Sequence, residues 1–475
     1  MNQYRIEKDS LGTIEIPMGA YYGVQSYRAY QNFPISGTTM LSEMIVSLAE
    51  IKKAAAIANA MSGQMPVDKR DAIIKACDEI IAGKLHEHFI VDPIQGGAGT
   101  SGNMNANEVI ANRATEILGG ELGKYIVHPN DHVNMSQSTN DVFPTAGKLA
   151  TIKLVRQLIP TLNALVDAFL DKAEEFKDFI KLGRTQLQDA VPVRLGQSFA
   201  AYAHSLQRAI KRIEDSLEEM YVVNMGATAI GTAINTTPEY LANVTPELAK
   251  ITGEPLVQAA DLIDGTQHPD GFLTVSSALK GFAVAVSKIA NDLRLLSSGP
   301  RGGLGEINLP SRQHGSSIMP GKINPVMPEV VSQVAFRVIG NDATIAMAVE
   351  GGQMELNAFE PIALYSLFQS ITMLNNACRV FRMYCIEGIT ANDERCLRTL
   401  LNSTAMATAL VPSIGYEKAT TIVKKALKEK RAIIEVACEV LDMETSASAR
   451  SVILTTEVVS DCFCRQTQFF CNLRY

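Results

Sequence analysis

The chain has 475 residues, 47% of them hydrophobic and 20% charged, which is the balance of a globular protein long enough for two or three domains. Its net charge of -7, with no dense Lys/Arg patch interleaved with aromatics, argues against a nucleic-acid partner. The N-terminal MNQYRIEKDSLGTIEIP lacks a basic segment followed by an apolar run, and no window approaches about eighteen uninterrupted apolar residues. Neither a signal peptide nor a membrane partner is expected, and a cytoplasmic location follows.

Strand-like alternation is scarce and confined to short pieces such as GTIEIP at 12–17. A first Gly-rich polar loop follows at 95–105, QGGAGTSGNMN, offering Thr100, Ser101 and Asn103. The pair His128 and His132 has the spacing of zinc ligands on a helix, but HPNDH contains Pro129 and no HExxH glutamate, so it reads as a turn. A second polar loop, NMSQSTND at 134–141, offers Ser136, Ser138, Thr139 and Asn140. From Val155 the apolar positions run Leu158, Leu162, Leu165, Phe169, Ala173 and Phe176, in steps of three and four that mark one helix face. GRTQLQDA at 183–190 reads as a short loop carrying Arg184, Thr185 and Gln186, before a helical stretch at about 193–223.

A heptad-like seam runs through Leu279, Phe282, Val286, Ile289, Leu293 and Leu296, and the breaker cluster SSGPRGG stops it at 297–303. The last polar loop, SRQHGSSIMPGKINP at 311–325, carries Ser316, Ser317, Lys322 and Asn324. Helical stretches follow at 326–349 and 358–386. The eight cysteines are scattered, and most read as free buried thiols; Cys462 and Cys464 form a lone CxC without a second ligand pair.

Three common sites are excluded. A P-loop needs four residues between its glycines and a hydroxyl after the lysine, whereas five separate Gly315 from Gly321 and Ile323 follows Lys322. A serine-hydrolase elbow needs GxSxG, and none of the seven histidines stands in a triad context. GLGEI at 303–307 lacks the third glycine of a dinucleotide fingerprint. Any one of the polar loops is ordinary turn and cap chemistry. Four of them on one helical frame suggest instead a site for a small, multiply charged anion, and a dicarboxylate fits because its oxygens accept many hydrogen bonds.

The chain resembles the aspartase/fumarase superfamily. The resemblance is carried by GGAGTSGNMNANEVIANRA at 96–114, HPNDHVNMSQSTNDVFPTA at 128–146, GRTQLQDAVPVRLGQ at 183–197, NMGATAIGT at 224–232 and GSSIMPGKINPVMPE at 315–329. It covers the chain from about Tyr4 to about Leu454. It implies a mainly α fold of three domains: an N-terminal helical domain at 1–141, a central long-helix bundle at 142–396 and a small C-terminal helical domain at 397–475. It also implies a homotetramer with a core of twenty long helices and sites shared between subunits. No cofactor and no metal are expected.

The activity implied is anti-elimination of an amine or hydroxyl from a substrate carrying a carboxylate, through an aci-carboxylate, to release fumarate. On the family pattern, Ser316 would be the base. Thr100, Ser138, Thr139 and Ser317 would hold the β-carboxylate, and Lys322 and Asn324 the α-carboxylate. Asn140, Thr185 and Gln186 would surround the leaving group. Fumarases of the superfamily typically place histidine where this chain has Gln186, as some aspartases also do. Leaving hydroxide needs a proton in flight, whereas an ammonium already carries its own. Met135, Thr139 and PVMPE at 325–329 lean the same way, so release of ammonia from L-aspartate is expected, with hydration of fumarate to L-malate as the alternative. Superfamily members with damaged sites serve as structural proteins such as lens crystallins, but here every expected loop residue is present. Two departures stand out: His314, where relatives usually have Pro or Ala, and the Cys- and Phe-rich tail after Thr455.

Overall fold

The computed structural model describes residues 4–440, apart from the side chains at 409, 412, 413 and 434. The fold is mainly helical, and its strands form two-stranded sheets among the described residues. Two compact units emerge. The first comprises the chain to Leu162, Arg208–Ala285 and Gln333–Ala377; the second comprises Asn163–Gln207, Val286–Ser332 and the chain from Cys378. Five long helices contribute residues to both: Thr139–Glu175, Leu195–Ser216, Asp270–Leu296, Val326–Glu350 and Glu360–Tyr384.

The periodic apolar positions behave as their spacing requires, except that Ala173 and Leu296 are only half-buried. Val155, Leu158, Leu162, Leu165 and Phe169 are buried along one helix, and Leu279, Phe282, Val286, Ile289 and Leu293 along another. Burying each such side chain contributes about 1.5–3 kcal/mol. The second helix ends at Leu296, where the breaker cluster turns the chain back and Glu306 donates its N–H to Leu296 O at 2.9 Å. The expected helix at 193–223 is interrupted: it runs Leu195–Ser216, and a separate turn covers Glu218–Tyr221.

In the first unit, Tyr4–Asp9 pairs antiparallel with Gly12–Pro17. Helix Ser42–Met61 packs against Val67–Ile81 and against Pro238–Thr252. The latter helix carries its own punctuation. Thr237 caps it by accepting Tyr240 N–H at 3.1 Å, Pro238 occupies its first turn, and Gly253 closes it in the left-handed region. In the second unit, Phe169, Phe176, Phe199, Tyr202 and Phe381 pack edge-on or tilted. Leu182, Leu400, Met406, Ile422 and Val436 form a further apolar cluster there.

Thr139–Glu175 and Asp270–Leu296 are long and apolar enough to cross a membrane by length and composition alone. Their most apolar windows are 56% and 50% buried within this one chain, so they read as core helices. Cys77, Cys378, Cys385, Cys396 and Cys438 are free and buried, and burial pushes the Cys378 and Cys385 thiols up to about 12. Cys462, Cys464, Cys471 and the tail after Thr455 lie outside the described residues.

Candidate active site

The first unit gathers Thr100, Ser138, Thr139 and Asn140. Thr100 opens helix Thr100–Ile117, so the first polar loop is half loop and half helix. Gly99 precedes it at φ 85°, and a Cβ there would lie 2.3–2.5 Å from the Phe143 ring, so no other residue fits. The Thr100 hydroxyl is exposed at this helix N-terminus and donates to Gly97 O at 2.7 Å. Helix N-termini favour anions, because their N–H groups and dipole point outward.

The second polar loop runs directly into helix Thr139–Glu175. Asn103 ties the two loops together by donating from Nδ2 to Thr139 Oγ1 at 3.1 Å. Asn140 donates to Ala229 O at 2.7 Å, and Asn224 donates to Asn140 O at 3.0 Å, so the NMGATAIGT segment braces the loop. Ser136 donates to Asn59 Oδ1 at 2.8 Å. A cavity of about 350 Å³ opens beside Asn134, Ser136, Ser138, Thr228 and Ala229.

Two buried charges lie behind these donors, and sequence patterns did not single them out. Lys52 is fully buried and donates to Asn134 Oδ1 and Gln137 Oε1, both at 2.9 Å. Burial pushes its pKa down to about 7, against the pull of Asp141. Asp141 is also fully buried and accepts N–H bonds from Ser138 at 2.9 Å, Thr228 at 3.0 Å and Gly226 at 3.1 Å. Burial raises its pKa to about 6, and the backbone N–H groups oppose the rise. The available signal was a lysine inside the apolar run IVSLAEIKKAAAIANA, where a charge needs a polar partner. His132 lies in a single π-helical turn, Pro129–Val133, and His128 caps it, its Nδ1 accepting Asn130 and Asp131 N–H. Among the described residues no three His, Cys, Asp or Glu side chains gather as a metal set.

The second unit holds Thr185, Gln186, Ser316, Ser317, Lys322 and Asn324. GRTQLQDA is not a loop but the tip of a β-hairpin, Ile180–Thr185 against Gln188–Arg194. Thr185 and Gln186 are exposed there, and Gln186 and Leu187 form its two-residue turn at φ 54° and 63°. That is the geometry of a tight hairpin turn built without glycine. Arg184 beside them is only partly exposed and donates to the buried Glu306 at 2.7 Å.

The serine loop is a closed ring. Gly315 N–H donates to Lys322 O at 2.9 Å, and Asn324 Nδ2 donates to Gly315 O at 2.8 Å. A Cβ on Gly315 would lie 2.3 Å from Lys322 O, which explains the glycine. The half-buried Ser316 hydroxyl oxygen accepts Ile318 N–H at 3.1 Å and Met319 N–H at 3.0 Å. Two donors aimed at one oxygen favour its deprotonated form. Ser317 and Lys322 are exposed, as is His314 beside them.

A family profile described as Lyase matches residues 12–340, and one described as Fumarase C C-terminus matches 406–449. An aspartate ammonia-lyase from Bacillus subtilis (strain 168) is 54% identical over 426 residues, 90% of each chain. A solved structure described as a fumarate lyase:delta crystallin from Brucella melitensis bound to cobalt is 50% identical with TM-score 0.92, covering 95% of this chain and 98% of that one. A recombinant class II fumarase from Schistosoma mansoni is 34% identical with TM-score 0.89 at the same coverage.

Proposed function

The chain belongs to the lyase/fumarase C family, and from that premise we propose that it removes ammonia from L-aspartate to give fumarate, as an aspartate ammonia-lyase does. The observation that carries this reading is the near-full-length match to an ammonia-lyase at 54% identity, against 34% for a fumarase.

Ser316 acts as the base, its alkoxide favoured by the Ile318 and Met319 N–H groups. It takes the proton from the carbon beside the β-carboxylate, and the freed electron pair moves into that carboxylate as an aci-carboxylate. Thr100, Ser138, Thr139 and Ser317 hold this doubly charged group. One oriented donor of this kind contributes about 2.7–4 kcal/mol to a transition state, and four together contribute less than their sum. Collapse of the aci-carboxylate breaks the C–N bond. Ammonia leaves with the electron pair of that bond toward Asn140, Thr185 and Gln186. Lys322 and Asn324 hold the α-carboxylate. The Ser316 hydroxyl then loses its proton, which resets the base.

The working protein is proposed to be a homotetramer in the cytoplasm, with five long helices per chain forming a core of twenty. The division at 1–141, 142–396 and 397–475 is proposed for its three domains. Apolar side chains left exposed on the long helices, Val284, Phe336 and Met347 among them, support association of copies.

The test supplies purified protein with L-aspartate or, separately, L-malate and follows fumarate absorbance and ammonia. Fumarate and ammonia in equal amounts from aspartate alone is the expected result. Fumarate from malate alone would overturn the reading in favour of a hydratase.

A further inference from the structure

We propose that Glu306 is a positioning residue: its buried carboxylate clamps Arg184 and so holds the hairpin tip that presents Thr185 and Gln186 to the departing ammonia. This rests on the leaving-group role given above to Thr185 and Gln186.

The tip needs an external hold. Gln186 and Leu187 both adopt left-handed backbone conformations, at φ 54° and 63°, that only glycine takes without cost. The strand leading to it is irregular, because the pairing register shifts between Leu182 and Arg184. At that shift a Cβ on Gly183 would lie 2.6 Å from Val191 O. A bulge of this kind re-aims the side chains beside it, and Arg184 reaches Glu306 Oε1 at 2.7 Å while Lys181 Nζ lies 3.0 Å from Oε2.

Glu306 is a fixed anchor for that hold. Its side chain is 0% exposed. Its N–H donates to Leu296 O and its C=O accepts from Asn392 N–H, both at 2.9 Å. The next two residues, Ile307 and Asn308, pair with Thr390 and Ala391. Arg184 is the residue immediately before Thr185, so a bidentate-capable side chain there fixes the direction in which the tip leaves the hairpin. Packing alone would not call for a buried lysine and a largely covered arginine on one buried carboxylate, since a buried ion cluster is weak support for stability.

The experiment runs the reaction backward, from fumarate and ammonium, and measures the two KM values separately. Arg184→Gln is the decisive variant, because Glu306 keeps its Lys181 partner and stays compensated. Arg184→Lys, which keeps the charge but not the fork, is read in the same way should Arg184→Gln not assemble. Gln186→Ala is made alongside to test the leaving-group role itself.

The expected result is an ammonium KM raised about tenfold or more in the Arg184 variant, because a donor misplaced by about 1 Å costs that much. The fumarate KM should stay within about twofold, since the carboxylate donors lie on other segments. If Gln186→Ala raises the ammonium KM and neither Arg184 variant does, the clamp is overturned and the leaving-group role stands. If an Arg184 variant lowers thermal stability and kcat while both KM values hold, Glu306 is structural and the proposal fails. If Gln186→Ala leaves the ammonium KM unchanged, the leaving-group role fails, and the clamp with it.

Discussion

At the scale of single residues, Ser316 poses the hardest problem, because a serine hydroxyl is a weak acid and a weak base until its proton is gone. The two N–H groups from Ile318 and Met319 are charge-assisted donors to an alkoxide. Both stabilise negative charge on that oxygen more than they stabilise the neutral hydroxyl, so they favour loss of its proton. Ser316→Ala should lower kcat by about 10²–10⁴-fold, the usual worth of a positioned base, while fumarate binding changes little. A variant that turns over normally would remove Ser316 from this role. Lys52 makes a different kind of claim. In the folded chain its proton is half lost at about pH 7, whereas in the unfolded chain this happens only at about 10.5. Between those values the unfolded state binds more protons, so stability rises with pH across that window as the cost of a buried charge is relieved. Lys52→Met should flatten this rise in thermal midpoint, and should also slacken the Asn134–Gln137 stretch that Lys52 holds. An unchanged slope from pH 7 to about 10 would show that Lys52 does not titrate there.

At the scale of elements, the hairpin tip invites a test of strain. Leu187 is 69% exposed and sits at φ 63°, so it contributes little burial and adopts a conformation costing about 1–2 kcal/mol. Leu187→Gly removes that cost and adds about 0.5–1 kcal/mol of chain entropy, so a gain of roughly 0.5–1 kcal/mol is expected. A denaturant midpoint that falls would mean that Leu187 makes contacts the single chain does not reveal. This element also shows where sequence reasoning stopped. The long helices were legible, because a buried stripe repeats every three or four residues whatever its partner: Val326–Glu350 and Glu360–Tyr384 fall within two residues of the stretches expected. GRTQLQDA was not legible as a hairpin, because Gln-Leu carries none of the Asn-Gly or Gly-X signal of a tight turn, and tertiary bonds from Arg184 to Glu306 replace it. The site loops were legible as donors but not as geometry. Ser136 and Asn140 look alike in NMSQSTND, yet one bonds to Asn59 and the other to Ala229. Asp141 was invisible for a related reason, and Lys52 in its apolar run signalled only that it needed some polar partner: a buried charge is set by what folds around it, not by its neighbours in the chain.

At the scale of the whole molecule, helix Val326–Glu350 is apolar on too many sides for one chain. Val331, Ala335, Val338 and Ile345 face inward and are buried. Phe336, Ile339 and Met347 are 63%, 39% and 75% exposed, and their spacing of three and eleven residues puts them on one outer face. A helix hydrophobic on both faces is a buried helix, so this outer face calls for a partner. Because a symmetric assembly repeats each contact, one substitution acts on every copy. If Phe336→Arg costs about 2 kcal/mol per chain, as a central interface anchor does, a tetramer loses about 8 kcal/mol. That is enough to convert a stable assembly into smaller species at micromolar concentration. Light scattering on the eluting protein should therefore show the parent as a tetramer and Phe336→Arg as a smaller species. Turnover per milligram should fall with the mass if the donors of one site come from several chains, and should recover on concentrating the variant. A parent that elutes as a single chain with full turnover would remove both the tetramer and the shared site. A variant that loses mass but keeps activity would remove only the shared site, leaving each chain with a complete set of donors.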